Sequence, residues 1–195
     1  MQNERIPLII PSYEPDDRLI TLLQNLKSAG FTNIIVLDDG SGDAYQELFA
    51  QAEKEYGCTL LRHYRNMGKG RGLKDAFNYC LNTFPDMIGC VTADSDGQHV
   101  PEDIQKCMEE LERHPDHLVM GCRKFSKDEV PWKSVYGNTI TKNVCKWLCG
   151  VSVSDTQTGL RAIPKAFMAE LLNVDGERFE FETNMLIASK GRYEI

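Results

Sequence analysis

The sequence predicts an α/β protein in which a mostly parallel sheet carries helices on both faces. Three observations carry that expectation. Short apolar runs alternate with segments whose apolar residues recur at helical spacing, through the first two thirds of the chain. Strands alternating with helices in this way imply crossover units and a parallel sheet. The polar, chemistry-bearing clusters follow strand runs and not helices, and sheets of this kind bind ligands at the carboxyl ends of their strands. A chain of 195 residues, 42% hydrophobic and 26% charged, suits one domain over residues 1–195 with a sizeable core.

The first strand is expected at 6–10 and ends in Pro11-Ser12-Tyr13. Leu19, Leu22, Leu23 and Leu26 then repeat at helical spacing up to Gly30, a natural C-cap. A second buried strand at 33–37 closes in Asp38-Asp39-Gly40-Ser41-Gly42-Asp43, followed by a helix at 44–56 and a strand at 59–63. Residues 65–72 are a polar, glycine-rich turn, and a helix is expected from 73 to about 83. The run at 87–91 leads into Thr92-Ala93-Asp94-Ser95-Asp96-Gly97-Gln98-His99 and a helix that opens at Pro101, the favoured first helical position, and runs to Arg113. A strand at 118–122 ends at Arg123. Beyond it come a polar loop at 126–131, a mixed helix at 132–148, and a loop from Asp155 to Arg161. A last helix carries Phe179-Glu180-Phe181-Glu182 near its start. Residues 192–195 read as the opening of another strand, so the domain is expected to continue past Ile195.

Charge and cysteine usage narrow the function classes. A formal charge of -7 and a pI of 5.2 argue against nucleic acid as a partner, which would call for a basic face. Any phosphate must meet a local cluster of cations or a metal. The seven cysteines are scattered, with no Cys-x-x-Cys pair, and read as reduced thiols of a cytoplasmic protein. No signal peptide precedes the first strand, and no apolar stretch is long enough to span a bilayer.

The most informative motif is Asp94-Ser95-Asp96 at a strand end. Two carboxylates held that close repel unless one is protonated or a cation lies between them. Hard oxygen ligands suit Mg²⁺ or Mn²⁺, which also hold substrate phosphates; the alternative is a solvated Asp-Ser-Asp-Gly turn. Asp38 and Asp39 offer a carboxylate to a base N–H or an Asx-turn to the next helix, and can divide the two roles. Gly68-Lys69-Gly70 lacks the spacing of a Walker loop, yet permits backbone approach to a phosphate with Lys69 as a point charge. Arg123 places a guanidinium fork at a strand end. Glu182 reads as a general base or an exposed helix residue, and only His99 among the histidines lies near carboxylates, with no partner pattern for His63, His114 or His117.

The ordered set Pro11-Ser12-Tyr13, Asp38-Asp39-Gly40-Ser41, Asn66-x-Gly68-Lys69-Gly70, Asp94-x-Asp96-x-Gln98-His99, Gly121-x-Arg123 and Asp155-x-x-Thr158-Gly159-x-Arg161 resembles the family-two inverting glycosyltransferases of the GT-A (Rossmann-like) fold. Its nearest subgroup is the dolichyl-phosphate mannose synthase and polyprenyl-phosphate glycosyltransferase branch. The resemblance implies a nucleotide-sugar donor whose base and ribose meet Pro11, Tyr13, Leu37 and Asp39. It further implies metal and diphosphate at Asp94, Ser95, Asp96 and Gln98, with Lys69, Arg123 and Arg161 near the phosphates or the acceptor. The implied acceptor is a polyprenyl phosphate, and the implied location is the cytoplasm at the inner face of the membrane, with membrane contact made through a part past Ile195 or through the surface. One departure is Pro15, where synthases of that branch carry an acid; Glu14 stands beside it.

The expected reaction is one in-line displacement at the anomeric carbon with inversion. A lipid phosphate acceptor is already anionic and needs no strong base; a hydroxyl acceptor needs Asp155 or Glu182 to remove its proton. A sugar-phosphate nucleotidyltransferase is the rival enzyme, although that class usually carries its glycine- and arginine-rich loop after the first strand, where this chain has Pro-Ser-Tyr. A non-catalytic nucleotide-sugar-binding module is the rival of a different class.

Overall fold

The computed structural model describes residues 4–121 and 159–195. Six strands form one sheet in the order β3-β2-β1-β4-β6-β5. The strands are β1 (Leu8–Ser12), β2 (Ile34–Asp38), β3 (Thr59–Arg62), β4 (Gly89–Thr92), β5 (Val119–Met120) and β6 (Arg161–Pro164). β1, β2, β3 and β4 run parallel, whereas β6 is antiparallel to both β4 and β5. The mostly parallel α/β expectation therefore holds, with one reversed strand inserted between β4 and β5.

Strand residues alternate between two apolar layers. Leu8, Ile10, Ile34, Val36, Val91 and Ala162 point into one core, and Ile9, Ile35, Leu37, Cys90 and Ile163 into the other. Both faces are buried, so the strands read as continuous apolar runs and not as an alternating pattern. The first layer is closed by α1 (Asp17–Ser28), α2 (Gln46–Tyr56) and α4 (Pro101–Arg113), the second by α3 (Lys69–Thr83), α5 (Lys165–Leu171) and α6 (Glu180–Ser189). In α1 the four leucines predicted to repeat at helical spacing are the buried ones, and the Asp16 side chain caps the helix through the Arg18 N–H.

The order places the topological switch beside β1: the chain steps from β1 to β2 and β3 on one side, and continues through β4 on the other. A crevice opens at such a point, outside the strand carboxyl ends. Three sequence expectations need correction. α3 begins at Lys69 and not at 73, so Lys69 and Arg71 stand on the first helical turn. Arg161 opens β6 and is not part of a loop; a buried arginine among Leu160, Ala162 and Ile163 interrupts the apolar run that marks a strand. α5 is a helix that the sequence pattern does not announce. The strand opening at 192–195 survives as a bridge, with Glu194 pairing parallel to His117. The helix expected at 132–148 lies outside the described residues. No described helix is long and apolar enough to cross a membrane.

Candidate active site

A cavity of about 530 Å³ opens over the end of β1, lined by Pro11, Ser12, Tyr13, Asp39, Asn66, Gly68, Lys69, Asp94, Ser95, Asp96, Arg178 and Phe179. Its size is that of a small-ligand site. β1 contributes the floor; β2 on one side delivers Asp39 and β4 on the other delivers Asp94, Ser95 and Asp96. Eight of the sequence-predicted residues thus converge: Pro11, Tyr13, Asp39, Lys69, Asp94, Ser95 and Asp96 line the cavity directly, and Glu182 reaches it through an ion pair with Lys69.

Asp38 and Asp39 divide their work. Asp38 is fully buried and accepts the Ser41 N–H at 2.8 Å, the Asx-turn that closes the loop. Ser41 Oγ in turn accepts the N–H of Glu14, which sits at φ 48, so the loops after β1 and β2 are tied together. Asp39 faces the cavity. Its Oδ1 accepts from His63 Nδ1 at 2.7 Å and from the Met67 N–H at 2.8 Å, while Oδ2 accepts from the Gly68 N–H at 2.8 Å. One acceptor position on Oδ2 remains for a donor from the cavity, since a carboxylate oxygen takes about two hydrogen bonds.

His63 is a residue that sequence reading missed. Its Nδ1 meets Asp39 and its Nε2 meets Asp75 at 3.1 Å, although the sequence shows no partner pattern for it. The signal lay in the strand register: Asp38 pairs with Arg62, so the next residues of the two strands are neighbours. Arg178 and Phe179 were also missed as lining residues. Arg178 is held by Asn66 Oδ1 at 3.3 Å, and it brings a second cation to the rim.

On the other side of the cavity an ionic chain runs inward. Lys69 Nζ lies 2.7 Å from Asp94 Oδ1 and 3.1 Å from Glu182 Oε2, and Arg161 Nη1 lies 3.3 Å from Glu182 Oε1. Burial disfavours the Lys69 charge, but Glu182 and Asp94 outweigh it and hold the pKa above its ordinary value. Burial likewise opposes ionisation of Asp94; His99 and Lys69 overcome it and keep the carboxyl well below the usual carboxylate range. Of the two, Lys69 is the stronger partner, because His99 Nε2 stands 3.9 Å from Asp94 Oδ2, beyond hydrogen-bond reach. A Cβ on Gly159 would overlap the Asp94 carboxylate, so a larger residue here would have to displace that side chain. The Thr92 hydroxyl fixes Gly159 there by donating to its carbonyl at 2.9 Å.

Other predicted residues go elsewhere. Leu37 is fully buried in the core beneath Gly72, so its side chain does not reach the cavity. Gln98 lines a separate cavity with His99 and Lys106, and its N–H closes a turn on Asp96 Oδ1 at 3.0 Å. The glycines at 68, 70 and 72 face protein, against Glu177, Phe181 and Leu37, not an open phosphate cradle. Arg123 and Asp155 lie outside the described residues.

The donor set fits a divalent cation that arrives with a ligand. No group of three or more His, Cys, Asp or Glu side chains converges among the described residues, yet Asp94 and Asp96 line one cavity. Mg²⁺ and Mn²⁺ are commonly held by one or two carboxylates together with substrate phosphates.

Residues 8–165 match the family model described as glycosyl transferase family 2. The UDP-N-acetylglucosamine–dolichyl-phosphate N-acetylglucosaminyltransferase of Methanococcus voltae is 29% identical over 97% of this chain and 82% of its own length. The polyprenol monophosphomannose synthase of Mycolicibacterium smegmatis is 24% identical over 93% of this chain and 71% of its own. The crystal structure of glucosyl-3-phosphoglycerate synthase from Mycobacterium tuberculosis, in complex with Mn²⁺, UDP and glucosyl-3-phosphoglycerate, superposes with a TM-score of 0.68 at 16% identity. That likeness covers 94% of this chain but only 64% of the solved one, and it shows a shared GT-A fold. With the family model spanning both the Asp39 and the Asp94 loops, the chain belongs to glycosyl transferase family 2 and is a glycosyltransferase.

Proposed function

We propose that the chain transfers a sugar from a nucleoside-diphosphate sugar to a polyprenyl phosphate, inverting the anomeric centre and using Mg²⁺ or Mn²⁺. The observation that carries this reading is the single cavity over β1 in which Asp39 faces Asp94 and Asp96 from the opposite neighbouring strand. That spacing suits a ligand with a nucleobase at one end and a diphosphate at the other. Asp39 accepts an N–H of the base on Oδ2 and is held rigid for it by His63 and two backbone amides. Pro11 and Tyr13 border the same part of the cavity.

Asp94 and Asp96 would hold the cation together with the diphosphate of the donor. When bound, such a cation acts as a Lewis acid that neutralises the departing diphosphate. Lys69 and Arg178 add positive charge around the same oxygens. Ser95, between the two aspartates, offers a hydroxyl to the phosphates. Glu182 is already shared by two cations, Lys69 and Arg161. This arrangement favours an acceptor that is itself an anion and needs no proton removed. The named relatives that act on dolichyl phosphate and polyprenol support the same choice. A hydroxyl acceptor would instead require Asp155 or Glu182 as base. With a polyprenyl phosphate as acceptor, the reaction site would lie on the cytoplasmic face of a membrane.

The test is binding of nucleoside diphosphates with and without Mn²⁺, read as a thermal shift. Asp96→Ala, and somewhat less Asp94→Ala, should abolish the Mn²⁺-dependent part of the stabilisation while leaving the fold intact. Metal-dependent stabilisation that persists in both variants would reject the metal assignment.

A further inference from the structure

The Lys69 ammonium occupies one of the two carboxylate oxygens that Asp94 can offer a divalent cation. It lies 2.7 Å from Asp94 Oδ1, and a second seat, Glu182 Oε2, stands at 3.1 Å on a different element, α6. Gly159 packs against Asp94, where an added methyl group would overlap the carboxylate and crowd Oδ2 most. A cation that takes Oδ1 therefore either shares it with the ammonium or displaces it. Two positive charges on one oxygen in a partly desolvated site repel strongly. We propose that Lys69 is an exchangeable counter-ion of Asp94, which yields the carboxylate to the cation by moving onto Glu182 and the diphosphate, and so couples cation binding to donor binding.

The proposal rests on the reading of Asp94 as a cation ligand. It gives Glu182 a specific role, in which the carboxylate keeps the displaced ammonium paired, so its desolvated charge is never left without a partner. Lys69 lines the cavity and stands on the first turn of α3, so its ammonium faces the space a diphosphate would fill. Bare cation is then disfavoured, and the diphosphate, by attracting Lys69, releases Asp94. Coupling of this kind is reciprocal, so cation and diphosphate tighten each other by the same factor.

The experiment is a titration of Mn²⁺ by electron paramagnetic resonance on the whole chain, alone and with uridine or guanosine diphosphate. Lys69→Met should bind Mn²⁺ alone about tenfold more tightly than the parent, from the removal of one nearby positive charge, and should show a smaller gain on adding diphosphate. Glu182→Gln should bind Mn²⁺ alone more weakly, because the ammonium loses its other seat. Lys106→Met, which removes an exposed charge elsewhere, should change nothing. Should Lys69→Met fold poorly by circular dichroism, Lys69→Gln serves the same purpose. The proposal is overturned if neutral variants at 69 bind Mn²⁺ no more tightly, or if Lys106→Met tightens it equally. Asp94→Asn separates the two levels. If it leaves diphosphate-dependent Mn²⁺ binding intact, the reading of Asp94 itself fails; if it abolishes that binding while variants at 69 have no effect, only the counter-ion role fails.

Discussion

At the residue scale, two positions connect fold to chemistry most directly. Asp39 clasps the loop after β3 through three donors and offers one remaining acceptor position to the cavity. Asp39→Ala should therefore lower two quantities at once. Nucleotide affinity should fall by roughly 1.5–3 kcal/mol, the range for a hydrogen bond to a charged group. Stability should fall as well, by about 1–3 kcal/mol for each buried donor left unmade. Calorimetric titration and denaturant melts measure the two separately, and a loss confined to stability would make Asp39 a loop clasp only. Gly159 is the second position. A methyl group there overlaps Asp94 Oδ2 and must push the carboxylate aside. Gly159→Ala should cut transfer about a hundredfold, the scale of an ångström-sized misplacement. An unchanged turnover in a sugar-transfer assay would show that Asp94 tolerates the shift.

At the element scale, the packing of α3 on the start of α6 sets where Lys69 stands. A Cβ on Gly70 would lie 2.5 Å from Phe181 Cβ and 2.8 Å from the Arg178 carbonyl, and the Arg71 N–H donates to the Glu177 carbonyl at 2.9 Å. The glycines thus let two backbones touch and draw Lys69 toward Glu182. Gly70→Ala should destabilise by about 1–3 kcal/mol through overpacking, lowering the melting temperature by about 2–4 °C per kcal/mol. The same change should weaken diphosphate binding, because α3 can relieve the clash only by carrying Lys69 away from Glu182. A variant that melts lower yet binds diphosphate normally would uncouple this packing from the site. The reversed strand β6 matters at this scale too. Because it runs antiparallel, its first residue, Arg161, pairs with Thr92 at the end of β4, so a strand start lands at the same edge as the parallel strand ends.

At the scale of the whole molecule, the proposed polyprenyl phosphate acceptor would require a chain of acidic net charge to work at a lipid surface. A polyprenyl chain stays in the bilayer, so its phosphate reaches the cavity only at the surface. Holding the protein there raises the effective concentration of the acceptor. With radiolabelled donor, Mn²⁺ and vesicles containing a polyprenyl phosphate, label should partition into the lipid phase. Label on a soluble sugar or on protein, with none in lipid, would reject the lipid acceptor and direct attention to Asp155 or Glu182 as a proton-removing base.

How much was legible follows from which interactions are local. Apolar runs, helical spacing and the placing of polar clusters after strands are local patterns, and they determined the α/β class, the parallel strands and the convergence of Asp39, Asp94 and Asp96. The division of work between Asp38 and Asp39 was also readable, as two alternatives for adjacent carboxylates. The rest depended on contacts between distant segments. The start of α3 at Lys69 is set by the 177–181 segment, more than a hundred residues further on. The pairing of His63 with Asp39 and Asp75 needs the strand register. β6 was hidden because a buried arginine broke its apolar run, and that arginine is paired with Glu182, a residue of another element. The sequence alone determined which groups stand at the strand ends; only the tertiary structure decided which charges meet, because ion pairs join side chains that the chain order keeps apart.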